Sequence, residues 1–176
     1  MRRLFLMVAI FIVGLFTHQF VRNNTPSSKP TEVTKEAAST AALAREMTAQ
    51  VTHVIDGDTI EITGGARVRY IGMDTPERAG EHVKQECFAA EASAINKTLV
   101  LGKIVRLVSD VSDTDKYGRL LRFVYVGDVF VNDYLVRQGY ARTEPIKPDV
   151  RYAAQFFAAQ QEAQKNNRGL WKDCGK

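Results

Sequence analysis

Three carboxylates and one arginine lie close together in a stretch that has the pattern of a β-hairpin. Asp58 follows a tight turn, residues 59–63 alternate polar and apolar side chains, and two consecutive glycines supply the reversal. Arg69 lies on the returning strand, and Asp74 and Glu77 follow where a proline stops that strand. Carboxylate oxygens suit a hard cation and a guanidinium suits an anion, so this stretch predicts a cation site beside an anionic substrate.

The candidate metal ligands are Asp58 and Asp74, together with the backbone carbonyl of Thr75. Ca²⁺ accepts a small number of carboxylates and carbonyls and fills its remaining positions with water. Two aspartates at strand ends would form such an open site. Each aspartate considered alone could instead be an ordinary turn residue, because Asp and Gly are common in turns that bind nothing.

The candidate catalytic residues are Glu77, Arg69 and Arg119. Cleavage of a phosphodiester by water needs a group that orients or deprotonates the water, and cations for the phosphoryl oxygens. Arginine suits the second task because its planar fork meets two oxygens at once and stays protonated. The alternative for an arginine on a strand is a solvated side chain that pairs with a nearby carboxylate.

Five strands and three helices are predicted to position these residues. The strands cover residues 50–54, 59–63, 67–71, 104–108 and 120–126, and the helices cover residues 88–101, 133–138 and 151–165. Asn132 or Asp133 is expected to cap the second helix, which stops at Gly139. A helix inserted after the third strand predicts a small closed barrel with helices packed on it, an α+β domain that is mainly β.

The N-terminal residues have the pattern of a targeting segment. Arg2 and Arg3 precede thirteen uncharged residues, 4–16, which are dominated by Leu, Ile, Val and Phe. This length fits a signal peptide, and an extension to residue 21 would make an uncleaved signal anchor in contact with the membrane. A buried core helix is the alternative. Either signal over residues 1–21 predicts an extracytoplasmic protein, which is secreted, periplasmic or membrane-tethered.

A linker and one folded domain are predicted after that segment. Residues 22–47 are polar, contain two prolines and have no clear periodicity, which is typical of a flexible linker, and the domain is expected to cover residues 48–176. The formal charge of the chain is +4, but from Gln50 onward eighteen Lys and Arg face seventeen acids. Recognition of phosphate must therefore come from the local arrangement of charges and not from net charge.

Five short motifs together are much more specific than any of these residues alone. They are Val54-Ile55-Asp56-Gly57-Asp58-Thr59, Arg69 before Asp74-Thr75-Pro76-Glu77, Glu91-Ala92-Ser93, Asp115-Lys116-Tyr117-Gly118-Arg119, and Leu135-Val136-Arg137-Gln138-Gly139. Their order and spacing resemble the staphylococcal nuclease (thermonuclease) family over residues 50–172. The resemblance implies an OB-fold, a five-stranded barrel with about three helices, and a Ca²⁺-dependent nuclease. Such an enzyme acts on DNA and RNA, with single strands favoured, leaves 3′-phosphate ends, and is expected to be a monomer.

The resemblance also implies a role for each matching position. It implies that Asp58, Asp74 and the Thr75 carbonyl hold Ca²⁺. It implies that Arg69 and Arg119 contact the scissile phosphate and that Glu77 acts on the attacking water. Lys116 and Tyr117 are implied to contact the terminal phosphate of the nucleotide. The chain departs from the family after Gly139, where tyrosines that hold the base are replaced by residues 143–148, Thr-Glu-Pro-Ile-Lys-Pro. Tyr140 or Tyr152 could substitute for them. Losing a stacking platform would weaken binding or shift the base preference without changing the chemistry.

Cys87 and Cys174 are the two cysteines of the chain. In an exported protein they favour one disulfide, which would tie the start of the first helix to the C-terminal tail. Two free thiols are the alternative for a cytosolic domain. Two cysteines without nearby histidines fall short of a zinc ligand set.

A catalytically inactive barrel that binds nucleic acid or protein is the alternative function, because a fold alone does not determine an activity. The six metal and catalytic positions of the family are all retained in this chain. A non-catalytic relative would have no chemical reason to keep both arginines, the glutamate and the ligands. The sequence therefore predicts an enzyme, a phosphodiesterase of the endonuclease type.

Overall fold

The computed structural model describes residues 46–80 and 84–174. The predicted signal segment, residues 1–21, and nearly all of the predicted linker, residues 22–47, lie outside this range. Within the described ranges, no helix is both long enough and apolar enough to cross a membrane.

Eight strands and four helices make up the described part of the chain. In order they are β1 (Glu46–Val54), β2 (Thr59–Ile62), β3 (Arg67–Tyr70), β4 (Met73–Asp74), α1 (Ala89–Val100), β5 (Ile104–Val108), β6 (Leu120–Val126), β7 (Val129–Phe130), α2 (Val131–Arg137), β8 (Arg142–Thr143), α3 (Ala153–Lys165) and α4 (Leu170–Asp173). The five longer strands were all expected from their alternating or β-branched sequences. The three strands of two residues each carry too short a pattern to be recognised.

Five of these strands close into a barrel. Their order is β3-β2-β1-β5-β6, and a parallel pairing between β3 and β6 joins the two ends. In that pairing Val68 faces Leu120 and Tyr70 faces Arg122. β7 adds a short hairpin to β6, and β4 pairs with β8 in a separate small sheet. The predicted mainly β fold, a five-stranded closed barrel with packed helices, is confirmed.

The barrel interior is filled by one face of each strand. On β3, Val68 and Tyr70 are buried, whereas Arg67 is exposed and Arg69 is half-buried. Because successive side chains of a strand point to opposite faces, burying the two apolar residues turns both arginines outward. The apolar core thus decides which face of β3 carries the cations.

The first strand begins earlier than the sequence predicted. Glu46 and Met47 were expected to belong to the linker, but they pair with Val108 and Leu107 of β5. Backbone hydrogen bonds to β5 stabilise this extension although its side chains are largely exposed. Within the described residues, β1 therefore includes Glu46 and Met47, which the sequence had assigned to the linker.

Cys87 and Cys174 form a disulfide in the structure. Cys87 lies just before α1, and Cys174 follows the last residue of α4. The bridge closes a chain segment with a sequence separation of 87 residues. It holds the C-terminal tail against the segment that precedes α1.

The intact protein is expected to gain the mass of two hydrogen atoms when it is reduced, because one disulfide becomes two thiols. The measurement is mass spectrometry of the denatured chain, with and without reductant. A Cys174→Ser variant, which cannot form the intramolecular bridge, serves as the control. An unchanged mass for the unsubstituted protein would show that the thiols are free.

Candidate active site

The closure of the barrel brings Arg69 and Arg119 to one cavity. Arg69 lies on β3, and Arg119 directly precedes Leu120, the residue that pairs with Val68 in the parallel register. Both arginines line a cavity of about 510 Å³. The other predicted site residues that line it are Asp74, Lys116 and Tyr117. A pairing between strands more than forty residues apart thus assembles both cations at one opening.

Asp58 lies in the wall behind this cavity, and its side chain is only 1% exposed. Both of its carboxylate oxygens accept hydrogen bonds. The hydroxyl of Thr59 donates to Oδ1 at 3.0 Å, and the backbone N–H and hydroxyl of Thr75 donate to Oδ2 at 2.9 and 3.0 Å. Arg69 forms an ion pair with the same carboxylate. These donors hold the buried charge in one orientation and offset its desolvation.

Arg69 is surrounded by carboxylates. Besides Asp58, its guanidinium contacts Asp74 at 2.7 Å and Glu144 at 3.3 Å. Burial alone would lower the pKa of Arg69, but the charges of Asp58 and Asp74 outweigh burial and raise it. The arginine is therefore permanently charged. The contact with Glu144 is longer than the contact with Asp74, and both carboxylate side chains are partly exposed.

Asp115 holds Arg119 in place. Its Oδ2 accepts a 2.7 Å hydrogen bond from Nε of Arg119, and its Oδ1 accepts the backbone N–H groups of Tyr117 and Arg119 at 2.9 and 3.0 Å. Burial would raise the pKa of Asp115, but the hydrogen bonds from Arg119 lower it. The sequence motif contained this residue without suggesting a role for it. An Asp side chain that accepts the backbone N–H two residues later is a common turn pattern, and this pattern could have indicated a structural role for Asp115.

Lys116 and Tyr117 form the exposed rim beside Arg119. The Tyr117 side chain is 72% exposed. Nζ of Lys116 lies 4.9 Å from the centre of the Tyr117 ring, and Cζ of Arg119 lies 5.5 Å from it. An open aromatic ring flanked by two cations is an arrangement that can stack on a base and contact its phosphate.

Glu77 is exposed and does not line the cavity, but it lies in the electric field of the other carboxylates. Partial burial and the negative charges of Asp58 and Asp74 raise the pKa of Glu77. Its backbone is fixed by Glu86, whose carboxylate accepts the Glu77 N–H at 3.1 Å. The Glu86 N–H in turn donates to the Glu77 carbonyl at 2.9 Å. The charges of Asp58 and Asp74 thus act on Glu77.

Asp56 is a fourth carboxylate that the sequence did not single out. Burial and the neighbouring charge of Asp58 raise the pKa of Asp56 to about 6. One of its oxygens accepts the backbone N–H of Asp58 at 3.0 Å, and its carbonyl accepts a hydrogen bond from Asn96 at 3.1 Å. In the sequence, the only indication of a role for Asp56 is its position one glycine before Asp58. Asp56 therefore supports the loop that carries Asp58.

The donor set fits a hard cation with several water ligands. Asp58 and Asp74 contact the same guanidinium, so their carboxylates lie side by side, and Thr75 follows directly. All the available ligand atoms are oxygens, which Ca²⁺ prefers and which do not suit a structural zinc site. Among residues 46–80 and 84–174, no group of three or more His, Cys, Asp or Glu is arranged to hold a metal. Two carboxylates and one carbonyl therefore require water to complete the coordination.

The segment after Gly139 contributes both charged and apolar side chains to the cavity wall, in place of a tyrosine platform. Glu144 and Ile146 line the cavity. The two tyrosines considered as substitutes do not line it. Tyr140 stacks on Phe88 with ring centres 5.5 Å apart, and Tyr152 packs against Phe123 at 4.7 Å. Neither tyrosine replaces the platform.

Comparison with known proteins agrees with the resemblance seen in the motifs. The family described as "Staphylococcal nuclease homologue" matches residues 67–173. The chain is 35% identical to a thermonuclease of Staphylococcus hyicus over 133 residues, which are 74% of this chain and 79% of the relative. It is 38% identical to a thermonuclease of Staphylococcus intermedius over 125 residues, 69% of this chain and 74% of the relative. An endonuclease of Bacillus subtilis is 36% identical over 126 residues, 69% of this chain and 60% of the relative. The chain belongs to the staphylococcal nuclease family, and it is a nuclease.

Proposed function

We propose that this nuclease is an exported, Ca²⁺-dependent enzyme that hydrolyses DNA and RNA, favours single strands and leaves 3′-phosphate ends. The observation that carries the proposal is the meeting of Arg69, Arg119 and Asp74 at one cavity, with Asp58 buried behind them. Two cations for a phosphate lie there beside two carboxylates for a metal ion. We also propose that the protein acts as a monomer.

In this proposal the residues divide the work of phosphodiester hydrolysis. Asp58, Asp74 and the Thr75 carbonyl would hold Ca²⁺, which would supply positive charge beside the phosphate. Arg69 and Arg119 bind the remaining phosphoryl oxygens and stabilise the negative charge that grows there during attack. Asp115 is a positioning residue, because it fixes the guanidinium of Arg119.

Glu77 completes the reaction by acting on water. The water oxygen forms a bond to phosphorus, its proton passes to the Glu77 carboxylate, and the bond from phosphorus to the 5′ oxygen breaks. The leaving oxygen takes up a proton from solvent water and becomes a 5′-hydroxyl, while the phosphate stays on the 3′ oxygen. Glu77 then releases its proton to solvent. Burial and the neighbouring charges raise the pKa of Glu77, which makes it a stronger proton acceptor than a fully solvated glutamate.

Export and single-strand preference rest on separate observations. Residues 1–21 have a signal pattern, and the Cys87–Cys174 disulfide is typical of an oxidising compartment. Single strands are favoured because Tyr117 presents an exposed ring on which an unpaired base can stack.

The full chain, purified in mild detergent, is expected to cleave single-stranded DNA and RNA when Ca²⁺ is added. This activity is expected to be lost in excess chelator, because two carboxylates and a carbonyl are the proposed ligands of the Ca²⁺ ion. Gel electrophoresis of labelled oligonucleotides measures cleavage, and removal of the new terminal phosphate by a 3′-phosphatase identifies the ends. Adding Ca²⁺ back after chelation is the control. Equal cleavage in chelator, or products that carry 5′-phosphates, would refute the proposal.

A further inference from the structure

A second groove adjoins the active-site cavity on the side of the β2–β3 turn. Its volume is about 570 Å³, and it is lined by Gly65, Ala66, Arg67, Tyr117, Gly118 and Arg119. Tyr117 and Arg119 line both spaces. A chain that passes over these two residues would therefore run from one space into the other.

The register of the barrel aligns Arg67 with the catalytic arginines. Val68 pairs with Leu120 in the parallel ladder, so the residues that precede this pair, Arg67 and Arg119, lie at the same end of the two strands. Arg67 and Arg69 lie on the same face of β3, two residues apart, which separates their Cα atoms by about 6–7 Å. Such a spacing is comparable to the repeat of an extended nucleic-acid backbone.

Arg67 is available for an anion, whereas Arg69 is held by three carboxylates. Arg67 is exposed, and within the described residues it forms no ion pair at salt-bridge distance. Glu61 lies opposite Arg67 in the antiparallel register of β2 and β3 without forming one. None of the described residues that line the groove is acidic. Arg67 thus adds a positive charge to the groove beside Arg119, which is held by Asp115.

The floor of the groove lets a backbone approach closely. Gly65 and Gly118 have positive φ angles of 81° and 78°, and a Cβ added at either glycine would meet no atom within 4 Å. The exposed ring of Tyr117 stands on the ridge between the groove and the cavity. A positive channel with a small-residue floor and an open aromatic ring is typical of sites that bind single-stranded nucleic acid.

We infer that this groove is a second phosphate subsite, in which Arg67 binds the phosphate next to the scissile one in a single-stranded polynucleotide. The inference rests on the proposed function, because the scissile phosphate must lie between Arg69 and Arg119 for its neighbour to reach Arg67. The subsite makes the enzyme prefer polynucleotides over substrates that contain a single phosphodiester.

The test compares the full chain with an Arg67→Gln variant on two single-stranded DNA substrates, a dinucleotide and an oligonucleotide of about 12 residues. The dinucleotide has no phosphate for the second subsite. The ratio of kcat/KM for the long substrate to kcat/KM for the dinucleotide is expected to fall about fivefold to tenfold in the variant. Fluorescence anisotropy of the long substrate in chelator is expected to show a salt slope smaller by about 0.7, the value for one phosphate contact to a single strand.

Lys165→Gln is the matched control, since it removes one exposed positive charge from α3 at a position that lines neither the groove nor the cavity. The subsite is refuted if Arg67→Gln changes the substrate ratio and the salt slope no more than Lys165→Gln does. Absence of cleavage by the unsubstituted protein would refute the proposed function instead. The anisotropy comparison of the two variants would still decide whether Arg67 binds the strand.

Discussion

Glu77→Gln is expected to lower kcat by about 100-fold or more, with little change in KM. Glutamine keeps the size of the side chain, but its amide does not take the proton of the attacking water. The two arginines and the metal ligands, which bind the substrate in the proposed mechanism, remain in place. The measurement is steady-state cleavage of a single-stranded oligonucleotide in Ca²⁺ by the full chain.

Glu91→Gln is the matched control for this experiment. Glu91 lies in the first turn of α1, is exposed and lines neither of the two spaces described above. Because Glu77 is also exposed, neither substitution is expected to change the urea midpoint of unfolding. A loss of less than tenfold for Glu77→Gln, about 1.4 kcal/mol of activation free energy, would mean that Glu77 does not act on the water.

Local sequence patterns were sufficient to predict the five longer strands of the barrel. The alternation of β3, in which the outward Arg67 and Arg69 alternate with the buried Val68 and Tyr70, is visible in four residues. Local patterns do not contain the parallel pairing of β3 with β6, because that pairing joins distant segments. The meeting of Arg69 with Arg119 was therefore predictable only through the resemblance to a family.

Polar residues with structural roles were the hardest to assign. Asn132 or Asp133 was expected to cap α2, but both lie within the helix, which Phe130 precedes. Asn132 has another role. Its buried amide accepts the Val124 N–H at 2.9 Å and donates to the Ile71 carbonyl at 3.0 Å. The same side chain can cap a helix or join two strands. Only its tertiary surroundings decide between these roles.

For Gly139, the sequence predicted the backbone conformation but not the tertiary contact. The sequence correctly placed it beyond the end of α2, where a glycine relieves the strain of a left-handed backbone, and its φ is 75°. Its contact with the C-terminal segment was not predictable. The Leu170 N–H donates to the Gly139 carbonyl at 2.8 Å, and Gly169 packs directly against the same glycine.

Gly139→Ala is expected to destabilise the protein by about 3–4 kcal/mol, because two penalties act together. An alanine must adopt the left-handed φ, and its Cβ would lie 2.2 Å from the backbone oxygen of Arg168. The same Cβ would also lie 3.2 Å from the Trp171 ring. Urea unfolding of the full chain measures the effect through the fluorescence of Trp171, the single tryptophan.

Gly102→Ala separates the two penalties. Gly102 has a similar φ of 73°, but a Cβ added there meets no atom within 4 Å. This control is therefore expected to cost only about 1 kcal/mol, from the backbone conformation alone. If both variants lose the same stability, the contact between Gly139 and Arg168 can relax without cost. A larger loss for Gly139→Ala means that the close backbone approach fixes the C-terminal segment to the barrel.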